Sequence, residues 1–173
     1  MRSEERRAAI LKALEAADGP VSAGTLAGEY RVSRQIIVGD VALLRAGGAD
    51  ISATPRGYVL HAAPDGVVRQ IACRHSDADM ERELNAIVDQ GCTVLDVIVE
   101  HPVYGQLTGA LALKSRYDVG EFLRRCESSD ARPLSDLTEG IHLHTLSCPD
   151  EAAFERVRQA LHGLGFLLEH ENN

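Results

Sequence analysis

Two hydrophobic rhythms run along this chain, and one replaces the other a third of the way in. In the first sixty residues apolar positions recur at helical spacing. Ile10, Leu11, Leu14 and Ala17 form one stripe, closed by Gly19-Pro20. Ser22 can cap a second, short helix carrying Leu26 and Tyr30. Ser33 can cap a third, whose stripe is Ile37, Val41 and Leu44 and whose stop is Gly47-Gly48. Two short strands around Thr54-Pro-Arg-Gly57 then predict a hairpin.

Beyond residue 66 strand and helix patterns alternate. Val67–Cys73 reads as a strand and Asp77–Gln90 as a helix with Met80, Leu84, Ile87 and Val88 inward. Cys92–Val99 and Gly109–Leu113 read as strands joined through His101-Pro-Val-Tyr-Gly105. Val119–Cys126 predicts a helix, Ile141–Leu146 a strand, Glu151–Leu161 a helix and Phe166–Glu169 a last strand. The expected class is α+β: a winged helix-turn-helix over residues 1–62, then an α/β sandwich over 67–171. The break falls in His61-Ala-Ala-Pro-Asp-Gly66.

Composition changes this picture little. A chain that is 45% hydrophobic and 25% charged suits a globular protein, and three Phe with no Trp make its core aliphatic. No apolar run approaches the ~18 residues of a membrane span. Four scattered cysteines without a C-x-x-C point to reduced thiols in the cytoplasm.

Charge changes it more. Residues 1–60 hold eight Lys/Arg and seven Asp/Glu, net +1, and the remainder ten and nineteen, net −9. In a winged helix-turn-helix the third helix enters the major groove by its N-terminal end. That places Ser33, Arg34 and Gln35 at the DNA, with Arg34 suited to guanine and Gln35 to adenine. Arg56 would ride on the wing. The alternative is a helical module for protein contacts. Phosphate contacts supply most non-specific affinity. A module of net +1 would hold DNA weakly, so a homodimer on a two-fold operator is expected.

The chemistry sits in Gly140-Ile-His-Leu-His-Thr-Leu146. Alternate residues of a strand share a face, so His142, His144 and Leu146 point together. Two imidazoles on one face are good ligands for a borderline metal. They would equally suit a hydrogen-bonded polar face. His75 ends the domain's first strand and is followed by Asp77, Asp79, Glu81 and Glu83. Helical geometry leaves both Glu81 and Glu83 able to reach inward. Cys73, on the face of His75, offers a rival sulfur ligand. His61, His162 and His170 are expected to be solvated.

Residues 5–60, through Val32-Ser-Arg-Gln-Ile-Ile37, Asp40-Val-Ala-Leu-Leu-Arg-Ala-Gly47 and Ile51-Ser-Ala-Thr-Pro-Arg-Gly-Tyr58, resemble the helix-turn-helix of many bacterial repressors and of the regulatory part of biotin protein ligases. Cys-Arg-His75-Ser, Glu83, Val-Glu-His101-Pro-Val-Tyr-Gly105 and Gly140-Ile-His142-Leu-His144-Thr resemble the three-histidine domain of niacin-responsive transcription repressors. That resemblance implies one divalent metal (Ni, Zn or Fe) on His75, Glu83, His142 and His144. It implies nicotinic acid as co-repressor of genes for niacin uptake and NAD synthesis. It also places His101 and Tyr104 along the effector pocket. A metal-dependent hydrolase or amidase, and a repressor sensing the metal itself, are the competing readings. Neither a G-x-S-x-G nor a phosphate-binding glycine loop is present to favour an enzyme.

Overall fold

The computed structural model describes residues 2–61, 66–130 and 132–169. The chain divides into two compact units, Met1–Ala63 and Pro64–Asn173. Residues 62–65, most of the expected linker, and His170 lie outside the described residues.

The N-terminal unit contains α1 (Ser3–Ala16), α2 (Ala23–Tyr30) and α3 (Arg34–Ala46), followed by β1 (Ile51–Thr54) and β2 (Gly57–Leu60). Ser22 and Ser33 cap α2 and α3 by accepting from the backbone N–H of Thr25 and Ile36, at 2.9 and 3.3 Å. Such caps satisfy donors that the first helical turn leaves unpaired. Ile10, Leu14, Leu26, Ile37, Val41, Ile51 and Tyr58 bury one another in a small core. Val21 pairs with Tyr58 in an isolated antiparallel bridge beside the hairpin. Only glycine fits at position 57: its φ is +143°, and a Cβ would stand 2.4 Å from the Val21 carbonyl oxygen.

The C-terminal unit runs β3 (Val67–Arg74), a 3-10 turn (Asp77–Asp79), α4 (Met80–Val88), β4 (Thr93–His101), β5 (Gly105–Leu113), α5 (Arg116–Glu127), a second 3-10 turn (Leu134–Thr138), β6 (Ile141–Cys148) and α6 (Glu151–Leu164). Its strands form one sheet in the order β3-β6-β4-β5, with every pair antiparallel. The buried side chains of β6 alternate along the strand: His142, His144, Leu146 and Cys148. Leu146 and Cys148 share one core with Leu84 and Ile87 of α4, Val119 of α5, and Val157 and Leu161 of α6. The result is a two-layer α+β sandwich.

Three elements differ from the reading of the sequence. The strand expected from Gly109 begins at Gly105, so β4 and β5 form one long hairpin. Gln106 and Thr108 are exposed beside half-buried Leu107. A search for continuous apolar runs passes over such a half-buried edge. The helix expected from Asp77 opens as a 3-10 turn before α4. Among the described residues the last segment pairs with β3 through a single bridge, Cys73–Leu167, with Arg74 N–H on the Phe166 carbonyl and Leu168 N–H on that of Ala72.

Candidate metal centre and DNA-reading surface

Four side chains from three places in the C-terminal unit meet in its core. His75 follows β3, Glu83 projects from α4, and His142 and His144 project from β6. Register places His142 opposite Cys73 and His144 opposite Ile71. Glu83 and both β6 histidines are almost wholly buried, at 1%, 3% and 3% exposure. Nε2 of His75 lies 2.7 Å from Glu83 Oε2, Nε2 of His142 lies 2.9 Å from Oε1, and Nε2 of His144 lies 3.3 Å from Oε2. Of the two acids left open by helical geometry, Glu83 faces inward and Glu81 is exposed.

The outer nitrogen of each ring is already committed. Nδ1 of His75 bonds the Ser76 carbonyl at 2.7 Å, that of His142 the Gly140 carbonyl at 2.9 Å, and that of His144 the Asp96 carbonyl at 2.6 Å. A carbonyl only accepts, so each Nδ1 carries the N–H and each neutral ring turns a lone pair inward at Nε2. In these neutral forms three lone pairs converge on a buried, anionic carboxylate. Among the described residues Nε2 of His75 makes no well-directed hydrogen bond, despite its closeness to Glu83. Such a cluster is repulsive until positive charge enters it, as protons or as a metal ion.

The titration behaviour has the same cause. Burial pulls His75 and His144 down, but the Glu83 carboxylate outweighs it and both end above the usual imidazole value. Burial pushes Glu83 up, but the three histidines outweigh it and hold the carboxyl well below the usual range.

The spacing fits a metal. Bonds of about 2.1 Å from one ion place neighbouring ligand atoms roughly 3.0 Å apart at right angles and about 3.4 Å apart in a tetrahedron. The observed N–O separations of 2.7–3.3 Å are edges of that size. Fixing Nδ1 on a backbone carbonyl is the usual way a ligating imidazole is oriented. Three nitrogens and one oxygen suit Zn, Ni or Fe. By mutual distance alone, the group of donor atoms that all lie within 4.8 Å of one another among the described residues is that of Cys73, Glu83 and His142. Burial and Glu83 push the Cys73 thiol up, however, so that sulfur must surrender a firmly held proton. The imidazoles offer lone pairs at no such cost.

Two supporting residues carried little or no signal in the sequence. Gly140 has φ +87°, and a Cβ there would lie 2.3 Å from the His75 carbonyl oxygen. Its missing side chain therefore lets His75 pass over the start of β6. Asp96 orients His144 through its carbonyl and accepts the Thr145 N–H on its side chain at 2.8 Å. A bulge places it there: Val94 pairs with Leu146 and Ile98 with Leu143, so β4 spends one residue more than β6 between these pairs.

The structure does not bring His101 and Tyr104 to this cluster. They stand at the β4–β5 turn, Tyr104 is 75% exposed, and His101 Nδ1 accepts the N–H groups of Val103 and Tyr104. Among the described residues no contact joins them to the four ligand candidates. His61 is half-buried and its Nε2 bonds Ser52 Oγ at 2.8 Å, while His162 is exposed beside Glu169.

On the N-terminal unit, Arg34 and Gln35 are exposed in the first turn of α3. Gln35, Val38, Gly39 and Ala42 recur at helical spacing on its outer side, all exposed. Val38 and Ala42 present small apolar side chains, a type that can meet thymine methyls in a major groove. The inner side of α3 carries Asp40, 4% exposed, gripped by Arg6 at 2.5 and 3.3 Å and approached by Arg7 at 3.6 Å. These arginines anchor the reading helix to α1. Arg56 occupies the hairpin turn and is half-buried, its N–H on Thr54 Oγ1 at 3.2 Å.

A reading helix with a hairpin wing, followed by a separate α+β unit, is the plan of a transcription regulator. Residues 6–59 match the HTH domain family and residues 68–170 the 3H domain family. The chain belongs to the transcription repressors built from these two domains. It is 44% identical over 166 residues to the probable transcription repressor NiaR of Thermotoga maritima, covering 96% of this chain and 95% of that one. It is 44% identical over 168 residues to the transcription repressor NadR of Bacillus subtilis, covering 95% and 93%. Both relatives are named as repressors, which sets the enzyme reading aside. No helix among the described residues is long and apolar enough to cross a membrane.

Proposed function

We propose that this chain represses genes of niacin uptake and NAD synthesis, binds operator DNA as a homodimer, and takes nicotinic acid as co-repressor beside one divalent metal per chain. The observation that carries the sensor half is the convergence of three inward lone pairs on Glu83. The reader half rests on Ser33, Arg34 and Gln35 at the free end of α3, with Arg56 in the wing turn. The effector and its genes come from resemblance to niacin-responsive repressors.

In this reading His75, Glu83, His142 and His144 hold the metal, and Glu83 neutralises part of its charge. The carbonyls of Ser76, Gly140 and Asp96 keep the rings oriented. When bound, the metal supplies Lewis-acid positions that a carboxylate or ring nitrogen can join. A co-repressor acts only by binding the DNA-competent arrangement more tightly than the other. Couplings of ~1–3 kcal/mol correspond to about 5- to 150-fold in DNA affinity, and operator DNA must raise effector affinity by the same factor.

The test begins with duplexes enriched from a random library by the full-length protein. Their binding is then followed by fluorescence anisotropy, with metal and nicotinate varied independently. Nicotinate should tighten binding only in metal-loaded protein. A response to metal alone, indifferent to nicotinate, would make the metal the signal.

A further inference from the structure

We propose that Gly39 is a positioning residue for DNA: with no side chain on the outermost line of α3, it lets the helix bed deep in the major groove and concentrates base reading on Arg34 and Gln35. This rests on the reading of α3 as the DNA-reading helix. It adds what sets the depth of that helix and where along it sequence is read.

At ~100° per residue, the buried or half-buried Ile37, Asp40, Val41 and Leu44 define the inward direction of α3. Opposite them, within about 30°, run Gln35, Gly39, Ala42 and Ala46, all exposed. Beyond Gln35 nothing on this line is larger than a methyl group. Val38 and Leu43 are exposed on its two flanks. A glycine inside a helix costs stability relative to alanine, because it gives up more backbone freedom. Among the described residues of the N-terminal unit nothing calls for one here. The φ of Gly39 is not positive. A Cβ there would meet no heavy atom within 4 Å outside its own stretch of helix. Gly57 is the contrary case, since a Cβ there would strike the Val21 carbonyl. Glycine also serves where a backbone must approach a ligand closely, and the ligand of a repressor's helix-turn-helix is DNA.

The dimensions make that approach matter. The major groove is about 12 Å wide, and a helix with its side chains is about 10–12 Å across. A helix so near the width of the groove enters only as far as its outermost side chains allow. With Gly39 and Ala42 at the front, the backbone of α3 can lie close to the base edges. The long side chains of Arg34 and Gln35 then reach the groove floor from the first turn. Farther along the helix the small residues leave apolar contact, which suits thymine methyls rather than hydrogen-bonded readout.

Melting and DNA affinity of the full-length protein test this together, with the duplex selected by wild type and a random duplex of equal length. Gly39→Ala and Gly39→Leu both gain helix propensity and meet open space, so both should melt at or above wild type. Gly39→Leu should nonetheless weaken the selected duplex roughly tenfold or more, and Gly39→Ala by less, with binding of the random duplex at low salt unchanged. A role confined to the fold would move melting and affinity in the same direction, so a loss of affinity that comes with a lower melting temperature overturns the proposal. If Arg34→Ala weakens the selected duplex and Gly39→Leu does not, α3 reads DNA but Gly39 does not set its depth. If neither substitution changes that affinity, α3 is not the reader and both readings fall together.

Discussion

Each unit buries a carboxylate among basic side chains, Asp40 in one and Glu83 in the other, and the two sites differ. Asp40 in the N-terminal unit meets the guanidiniums of Arg6 and Arg7, which are charged at every physiological pH. That cluster is complete as it stands, and it holds α1 against α3. Glu83 in the C-terminal unit meets three imidazoles whose neutral forms turn lone pairs toward it. That cluster is incomplete until protons or a metal enter. What neutralises a buried carboxylate thus separates a structural pair from a receptive site.

The comparison breaks most sharply on metal content. Purified protein should carry about one divalent ion per chain. His142→Ala, His144→Ala and Glu83→Ala should each lose most of it, while Glu81→Ala and Asp40→Asn keep it, as read by elemental analysis. At ligand excess of ~1,000 times Kd a bound metal adds about 4 kcal/mol of stability, so chelation should lower the Tm of the C-terminal unit visibly. Small, equal losses at all positions would make the Glu83 cluster as structural as that of Asp40.

Acid and base sharpen the same contrast. The depressed Glu83 group contributes stability that is present above its unfolded value near 4.5 and is lost as pH falls through the lower folded value. The raised His75 and His144 groups contribute stability that is present below their unfolded value near 6.5 and is lost as pH rises through the higher folded value. Metal-free protein should therefore melt highest between these limits and lower on both sides. Metal-loaded protein should instead lose its ion as pH falls, because bound imidazoles must be neutral. Thermal melts across pH, with and without chelator, separate the two curves.

For the Asp40 cluster, Asp40→Asn should lower the melting temperature of the N-terminal unit and weaken DNA binding through a loosened α3. Unchanged melting would remove the anchoring role. At the reading end, Arg34→Ala should cost ~1–3 kcal/mol and relax specificity at one base position. Arg56→Ala should weaken all sequences alike and reduce the salt slope by about one. Repeating the library selection with each variant measures both. The smallest effect belongs to His101→Ala, which should leave metal content unchanged and only loosen the β4–β5 turn, detectable as faster amide exchange at Val103 and Tyr104.

Much of this was legible before any coordinates. Periodicity and capping residues are local, so the three N-terminal helices, their Ser22 and Ser33 caps and the hairpin could be read directly. The two-residue period of β6 placed His142 and His144 on one face, because side-chain direction in a strand follows from the backbone alone. Resemblance then singled out His75 and Glu83. Other features needed the tertiary structure, because they depend on residues far apart in sequence. Glu81 and Glu83 are equivalent on a helical wheel, and only packing of α4 on the sheet turns Glu83 to the histidines. The carbonyls of Ser76, Gly140 and Asp96 orient the rings, and a backbone atom has no letter in a sequence. His101 and Tyr104 belong to a recognisable motif but stand at the β4–β5 turn, and among the described residues no contact joins them to the four clustered side chains. The sequence by itself determined which groups could be ligands; tertiary packing decided which lone pairs point at one another, because direction in a buried cluster is set by neighbours that local periodicity does not encode.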